Sequence, residues 1–165
     1  MAEKMTLIQL VDNNDRPIGY KERDKITKKD IYRVSALWVT SPDGHVLLAR
    51  RSKKKSHDPG LWGVAVVGTV EKGETYLSNI KKEAFEEIGL QDIKPKKKIK
   101  EKFTGNWNMF IQWFAIVLPK ETKFRIDKNE VEKVQWITKE KLLTDLTRHP
   151  GKYAMSRRRF MRFLT

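Results

Sequence analysis

Three glutamates, Glu83, Glu86 and Glu87, stand at a spacing that a helix gathers onto one side. Positions i, i+3 and i+4 share an arc of a 3.6-residue turn, so their carboxylates face the same volume. Like charges so placed repel one another unless they reach open water or hold something cationic between them. A divalent metal suits them, because hard cations take carboxylate oxygens. The element that must carry them is a helix. Thr75 fits the N-cap, Leu77, Ile80, Ala84 and Ile88 recur at helical spacing, and Gly89 is placed to stop it. The apolar arc lies about a quarter turn from the acidic one, which puts the carboxylates at the rim of the buried face.

The wider stretch from Gly68 to Leu90 reads G-x5-E-x7-K-E-A-x-E-E-x-G-L. It resembles the Nudix box, G-x5-E-x7-R-E-U-x-E-E-x-G-U with U apolar, and only the arginine is changed, to Lys82. The resemblance covers roughly Ile31 to Leu146 and implies an α/β (α+β) fold, the Nudix α/β/α sandwich with a mixed sheet. It also implies hydrolysis of a nucleoside diphosphate linked to another moiety, by water attacking phosphorus. Carried over by position, Glu83, Glu86 and Glu87 would ligate Mg²⁺ or Mn²⁺ with the Gly68 carbonyl. Glu83 or a loop carboxylate would deprotonate the water. Glu74 would pair with the basic residue at position 82; lysine there turns a planar, two-pronged contact into a point charge.

Around this stretch the chain alternates strands and turns. Thr6–Asp12 and Ile18–Arg23 flank a turn at Asn13–Pro17 and form an opening hairpin, lying with the first 30 residues outside the resemblance. Ile31–Thr40 and His45–Arg51 form a second hairpin about Ser41-Pro42-Asp43-Gly44. The second of these strands ends in Arg50 and Arg51, where the resemblance implies arginine near substrate phosphates, and planar guanidinium matches phosphate in two-pronged fashion. Trp62 follows in a segment, Pro59-Gly60-Leu61-Trp62, that resembles the approach to the Nudix box. It either stacks on a base or caps the core. Trp62–Val67 is then a strand delivering Gly68.

After the box, Pro95–Phe103 reads as a lysine-rich edge strand and Trp107–Leu118, the most apolar run, as a central one. Val131–Ile137 is a strand, Thr138–Leu146 a capped helix, and Tyr153–Leu164 a basic amphipathic helix within the terminal segment 148–165. Glu130 and Glu132 precede Trp136 in the region where the resemblance implies an additional acidic ligand or base. Alternation puts both on one face, and Glu130 is favoured because a loop can place it freely.

The 165 residues suit a single domain, with no internal repeat. The absence of cysteine removes disulfides, zinc-thiolate sites and every cysteine nucleophile; a reducing, cytoplasmic setting is compatible. No apolar run approaches the ~20 residues of a membrane span, and the first residues carry no signal-peptide pattern. Thirty-five Lys and Arg against 21 Asp and Glu give a net charge of +14. That field attracts a small diphosphate or nucleotide substrate and is compatible with nucleic acid. A homodimer joined through the opening hairpin is the oligomeric alternative to packing in cis. Two other functions fit parts of the pattern: a Nudix-fold module that binds nucleic acid without catalysis, and the isopentenyl-diphosphate isomerase branch. The isomerase branch works through a cysteine that is missing here, and Thr69 stands where it commonly has histidine. A solvent-facing acidic helix would need neither the two glycines nor Glu74 at their distances.

Overall fold

A computed structural model describes residues 5–164 of the chain. Strand β3 (Ile31–Thr40) organises it. Its apolar residues alternate strictly: Val34, Ala36 and Trp38 enter one apolar cluster, Leu37 and Val39 the other. A strand buried on both faces needs a layer on each side. Helix α1 (Tyr76–Ile88) supplies one with Ile80, Ala84 and Ile88. Helices α2 (Lys139–Arg148) and α3 (Arg157–Leu164) supply the other with Leu142, Leu146, Phe160 and Leu164.

One edge of β3 is occupied throughout by β8 (Asn108–Val117), parallel from Ile31 opposite Asn108 to Thr40 opposite Val117. The other edge is shared by three strands. β1 (Leu7–Val11) meets it at Tyr32, β6 (Val66–Thr69) along Val34–Leu37, and β4 (Val46–Arg51) only at Thr40. After that contact β4 diverges and pairs with β5 (Trp62–Val64) and β9 (Val131–Ile137). The strand expected over Trp62–Val67 is therefore broken at Ala65. Its first half follows β4 and its second half follows β3, so the chain must step between strands that have parted. β2 (Pro17–Glu22) pairs with β1, and β7 (Lys96–Phe103) forms the lysine-rich edge beside β8.

The opening hairpin packs in cis. Ile8 and Val11 are buried, and the Lys72 and Gln9 amides donate to Leu7 O and Val70 O at 2.8 and 3.3 Å. Asp15, at its turn, holds Arg33 at 2.7 Å and Lys100 at 2.5 Å and accepts from the Tyr76 hydroxyl at 3.0 Å.

Two helical expectations need correction. Leu77 is 42% exposed and Asn79 takes a buried place in α1. The basic C-terminal helix starts at Arg157 rather than Tyr153, while Arg148 ends α2. Tyr153 is extended, bridges Trp62 and donates its hydroxyl to Asp145 at 2.7 Å. Tyr153 and Met155 are buried without being helical, so an apolar pattern alone carries the helix too far back.

Candidate active site

Helix α1 starts at Thr75, whose hydroxyl accepts from the Ser78 amide at 3.0 Å while the Ser78 hydroxyl accepts from the Thr75 amide at 2.9 Å. This reciprocal cap satisfies two amides that a helix start leaves open. Gly89 closes the helix in the left-handed region at φ 75°. Between these caps the helix lies hard against β6 at Gly68. A Cβ there would fall 2.2 Å from Glu83 Cγ and 2.8 Å from Asn79 Oδ1. Only a residue without a side chain lets the two elements approach so closely.

Asn79 ties the pieces together. Its amide nitrogen donates to Glu74 Oε2 at 2.8 Å and Thr69 O at 3.0 Å, and its oxygen accepts from Ser35 at 2.5 Å. Glu74 also accepts from the Glu71 amide at 2.9 Å and pairs with Lys82 at 2.5 Å. Burial acts to raise the Glu74 pKa, but hydrogen bonds from Lys82, Glu71 and Asn79 outweigh it and leave it below the usual carboxylate value. Lys82 is shared with Glu71 at 3.4 Å and Glu83 at 3.7 Å.

The three glutamates are unequal. Glu86 is exposed, whereas Glu83 and Glu87 are half-buried on the sheet side. Burial pushes the Glu83 carboxyl up to about 7; Lys82 opposes this, and Glu86, Glu71 and Glu74 add to it. Burial pushes Glu87 up to about 8, helped by Glu83 and Glu130 and opposed by Lys55 and Arg51. Two neighbouring acids, buried beyond what the nearby cations offset and one helical turn apart, fit a divalent cation that takes oxygen donors. Among the described residues no three acidic or histidine side chains are already drawn around a single point. A ligand set built from them would require the glutamate side chains to turn towards a common point.

Glu87 faces a cavity of about 240 Å³ that opens where β3 and β4 part. Glu130, Arg51, Asp58 and Arg159 reach the same cavity. Glu130 is held from both sides. Its carbonyl accepts from the Ser52 amide at 3.0 Å, and its amide donates to Asp127 O at 3.0 Å. Asp127 and Arg125 in turn donate to Glu87 O and Ile88 O at 3.0 and 3.1 Å, satisfying carbonyls that the end of α1 leaves open. The carboxylate of Glu130 pairs with Lys55 at 2.5 Å. Glu132, which alternation does not distinguish from Glu130, pairs with Arg50 at 3.4 Å and does not line the cavity.

The arginines separate as well. Arg51 lines the cavity and donates to His57 O at 2.9 Å. Arg50 donates to Gly60 O at 3.0 Å and is committed to Glu132. Trp62 packs against the core with Lys133 5.4 Å from its ring centroid, outside the cavity lining. Asn79, Lys55, Asp58 and Arg159 are not among the individual site residues the sequence points to, although Lys55 and Asp58 fall in the basic connector before Trp62 and Arg159 in the basic C-terminal helix. Asn79 left a signal of another kind, a polar residue within the apolar stripe of α1.

The family model for the NUDIX domain matches residues 30–162. An uncharacterized Nudix hydrolase of Pseudomonas aeruginosa is 32% identical over 92 residues, 55% of this chain and 54% of that protein. This chain thus spans about half the length of that relative. A prenyl-diphosphate phosphatase of Methanosarcina mazei is 29% identical over 151 residues, 89% of this chain and 88% of that protein. Among solved structures, DR0079 from Deinococcus radiodurans superposes with a TM-score of 0.69 at 23% identity, covering 87% of this chain and 90% of the other. That likeness bears on the fold, and it is the mixed sheet between helical layers described above.

Proposed function

The chain belongs to the Nudix family of hydrolases, and from that we propose that it cleaves a pyrophosphate linkage in a nucleoside diphosphate derivative or related diphosphate, with Mg²⁺ or Mn²⁺ as cofactor. The observation that carries this reading is the pair Glu83 and Glu87, half-buried, one turn apart and held above the usual carboxylate range by burial, with Glu83 against Gly68. Glu83, Glu86, Glu87 and the Gly68 carbonyl would hold the cation. When bound, it would offset the negative charge of the diphosphate and lower the pKa of water.

The protein residues supply the rest. Water adds to phosphorus and the P–O bond to the leaving phosphoryl or organic group breaks. The water proton passes to a carboxylate, Glu83 or Glu130, both close enough to the Glu87 carboxyl to bear on its charge. Lys55, now on Glu130, would move to phosphate oxygens as substrate enters, and Arg51 would meet the same charge with its planar fork. The relative from Methanosarcina mazei supports a diphosphate as substrate. The cysteine-dependent isomerisation is set aside because the chain has no cysteine. No helix among the described residues is long and apolar enough to cross a membrane.

The test is phosphate release from nucleoside triphosphates, sugar nucleotides, dinucleoside polyphosphates and prenyl diphosphates, with Mg²⁺, with Mn²⁺ and with chelator. Release from at least one class that chelator abolishes is the expected result. Silence across the panel together with salt-sensitive RNA binding would replace the hydrolase with a binding module. Lys82→Arg should keep or raise turnover in the same assay, because a guanidinium can hold Glu74 and Glu71 together where one ammonium is shared. A tenfold loss would show that the point charge is required.

A further inference from the structure

We infer that the cavity beside Glu87 receives a short hydrocarbon chain, so that the substrate is an alkyl or isoprenyl diphosphate rather than a nucleoside one; this rests on the hydrolase reading above. The cavity is lined deep between the parted strands by Val34, Ala36, Met109, Ile111 and Met155. Its polar side chains, Trp113 apart, are all charged: Arg51, Asp58, Glu87, Glu130 and Arg159. Arg159 already pairs with Glu101 at 2.6 Å. Among the described residues no serine, threonine, asparagine, glutamine, tyrosine or histidine lines the space.

With Arg51, Glu87 and Glu130 turned to the diphosphate and Arg159 committed to Glu101, a nucleobase would press most of its donors and acceptors against Val34, Ala36, Met109, Ile111 and Met155, and unanswered polar groups are costly to bury. Nor is there a free aromatic face on which a base could stack. Trp113 is the one aromatic residue of the lining among the described residues. Its ring packs against Phe163 at 4.5 Å between centroids, and its Nε1 donates to Glu101 at 3.2 Å. A hydrocarbon chain makes no such demand and gains about fourfold in affinity for each buried methylene. At about 240 Å³ the space is smaller than the roughly 300–1,000 Å³ that drug-sized ligands occupy, which limits it to a short chain. The diphosphate would remain at the mouth, with Glu87, Glu130 and Arg51.

Binding and turnover are to be measured separately. Calorimetry of the Mg²⁺-loaded protein with pentyl methylenebisphosphonate and its adenosine counterpart should show the pentyl compound binding at least tenfold more tightly. The kcat/KM for dimethylallyl diphosphate should exceed that for ADP by at least tenfold. Ala154, an exposed residue at the cavity wall whose amide donates to Trp62 O, allows a blocking test without disturbing the core. Ala154→Phe should lower the ratio of kcat/KM for dimethylallyl over methyl diphosphate by at least tenfold. Met109→Ala, on a half-buried strand position, should move the preferred chain towards longer hydrocarbons. Equal or tighter adenosine binding, or an unchanged ratio in both variants, overturns the inference and leaves the hydrolase standing. Tight pentyl binding with no hydrolysis of any diphosphate supports the apolar cavity and overturns the hydrolase.

Discussion

Glu87→Gln is expected to lower kcat/KM for metal-dependent diphosphate hydrolysis by about 10²–10⁴-fold while raising the melting temperature of the metal-free protein near pH 8. Both effects have one cause. Glu87 is half-buried and meets Glu83 and Glu130, and Lys55 and Arg51 do not outweigh them, so burial and like charge hold its carboxyl up at about 8. A carboxylate whose folded pKa lies above its unfolded value binds its proton more tightly in the folded state. Stability from this group is therefore greatest below about pH 4.5 and declines as pH rises through about 8. Glu83, held up at about 7, acts in the same direction. Since the two acids influence each other, the loss is on the order of 1–4 kcal/mol for the pair rather than a sum of separate shifts. Glutamine removes the charge and keeps the shape, which amounts to roughly 2–8 °C in a domain of this size.

Glu86→Gln makes the control. That residue is exposed, so its loss should reduce turnover with little change in melting temperature. Thermal unfolding in chelator from pH 5 to 8.5, beside steady-state assays, checks both. Turnover of Glu87→Gln within tenfold of the parent would remove Glu87 from the reaction. A parent protein equally stable across that range would show that its carboxylates are solvated.

The features of α1 that could be read in advance are local ones. Thr75 and Gly89 act on the amides and carbonyls nearest them in the chain, and the spacing of Glu83, Glu86 and Glu87 fixes their common arc. Which side of that arc is buried is not a local matter. It depends on the segment around Asp127, which docks on the last carbonyls of α1 and brings Glu130 towards Glu87. For the same reason alternation alone left Glu130 and Glu132 on one face, and only loop freedom favoured Glu130; their partners, Lys55 and Arg50, separate them in the fold. The cavity is still less visible in the sequence. It arises because β3 and β4 pair at Thr40 and Val46 and then take different neighbours, a consequence of long-range pairing that no strand pattern contains. Asn79 was passed over because an amide amid apolar residues reads as a gap in the stripe, although it bonds Glu74, Thr69 and Ser35.

Gly68→Ala should cost at least 10²-fold in kcat/KM and about 1–3 kcal/mol in stability, although it adds a single methyl group. That methyl would stand 2.2 Å from Glu83 Cγ, well inside any non-bonded separation, and 2.8 Å from Asn79 Oδ1. A carboxylate tip could swing away, but Cγ is one bond from the Cβ that the helix backbone fixes, and Asn79 is held by three hydrogen bonds. Two reliefs remain. Glu83 can rotate out of its place over β6, or α1 can lift from the sheet and loosen the cluster around Ile80 and Ala84. Either displaces the carboxylate from Gly68, so either should abolish most turnover. The double variant Gly68→Ala with Glu83→Ala distinguishes them. Removing Cγ should return a large part of the lost stability if the clash with Glu83 dominates, while activity stays low because the carboxylate is gone. If the second substitution adds its own loss of stability instead, Asn79 is the harder obstacle and the helix has moved. Full activity in Gly68→Ala would mean that α1 and β6 do not approach as closely in solution as Gly68 permits, and the place assigned to Glu83 would fall with it.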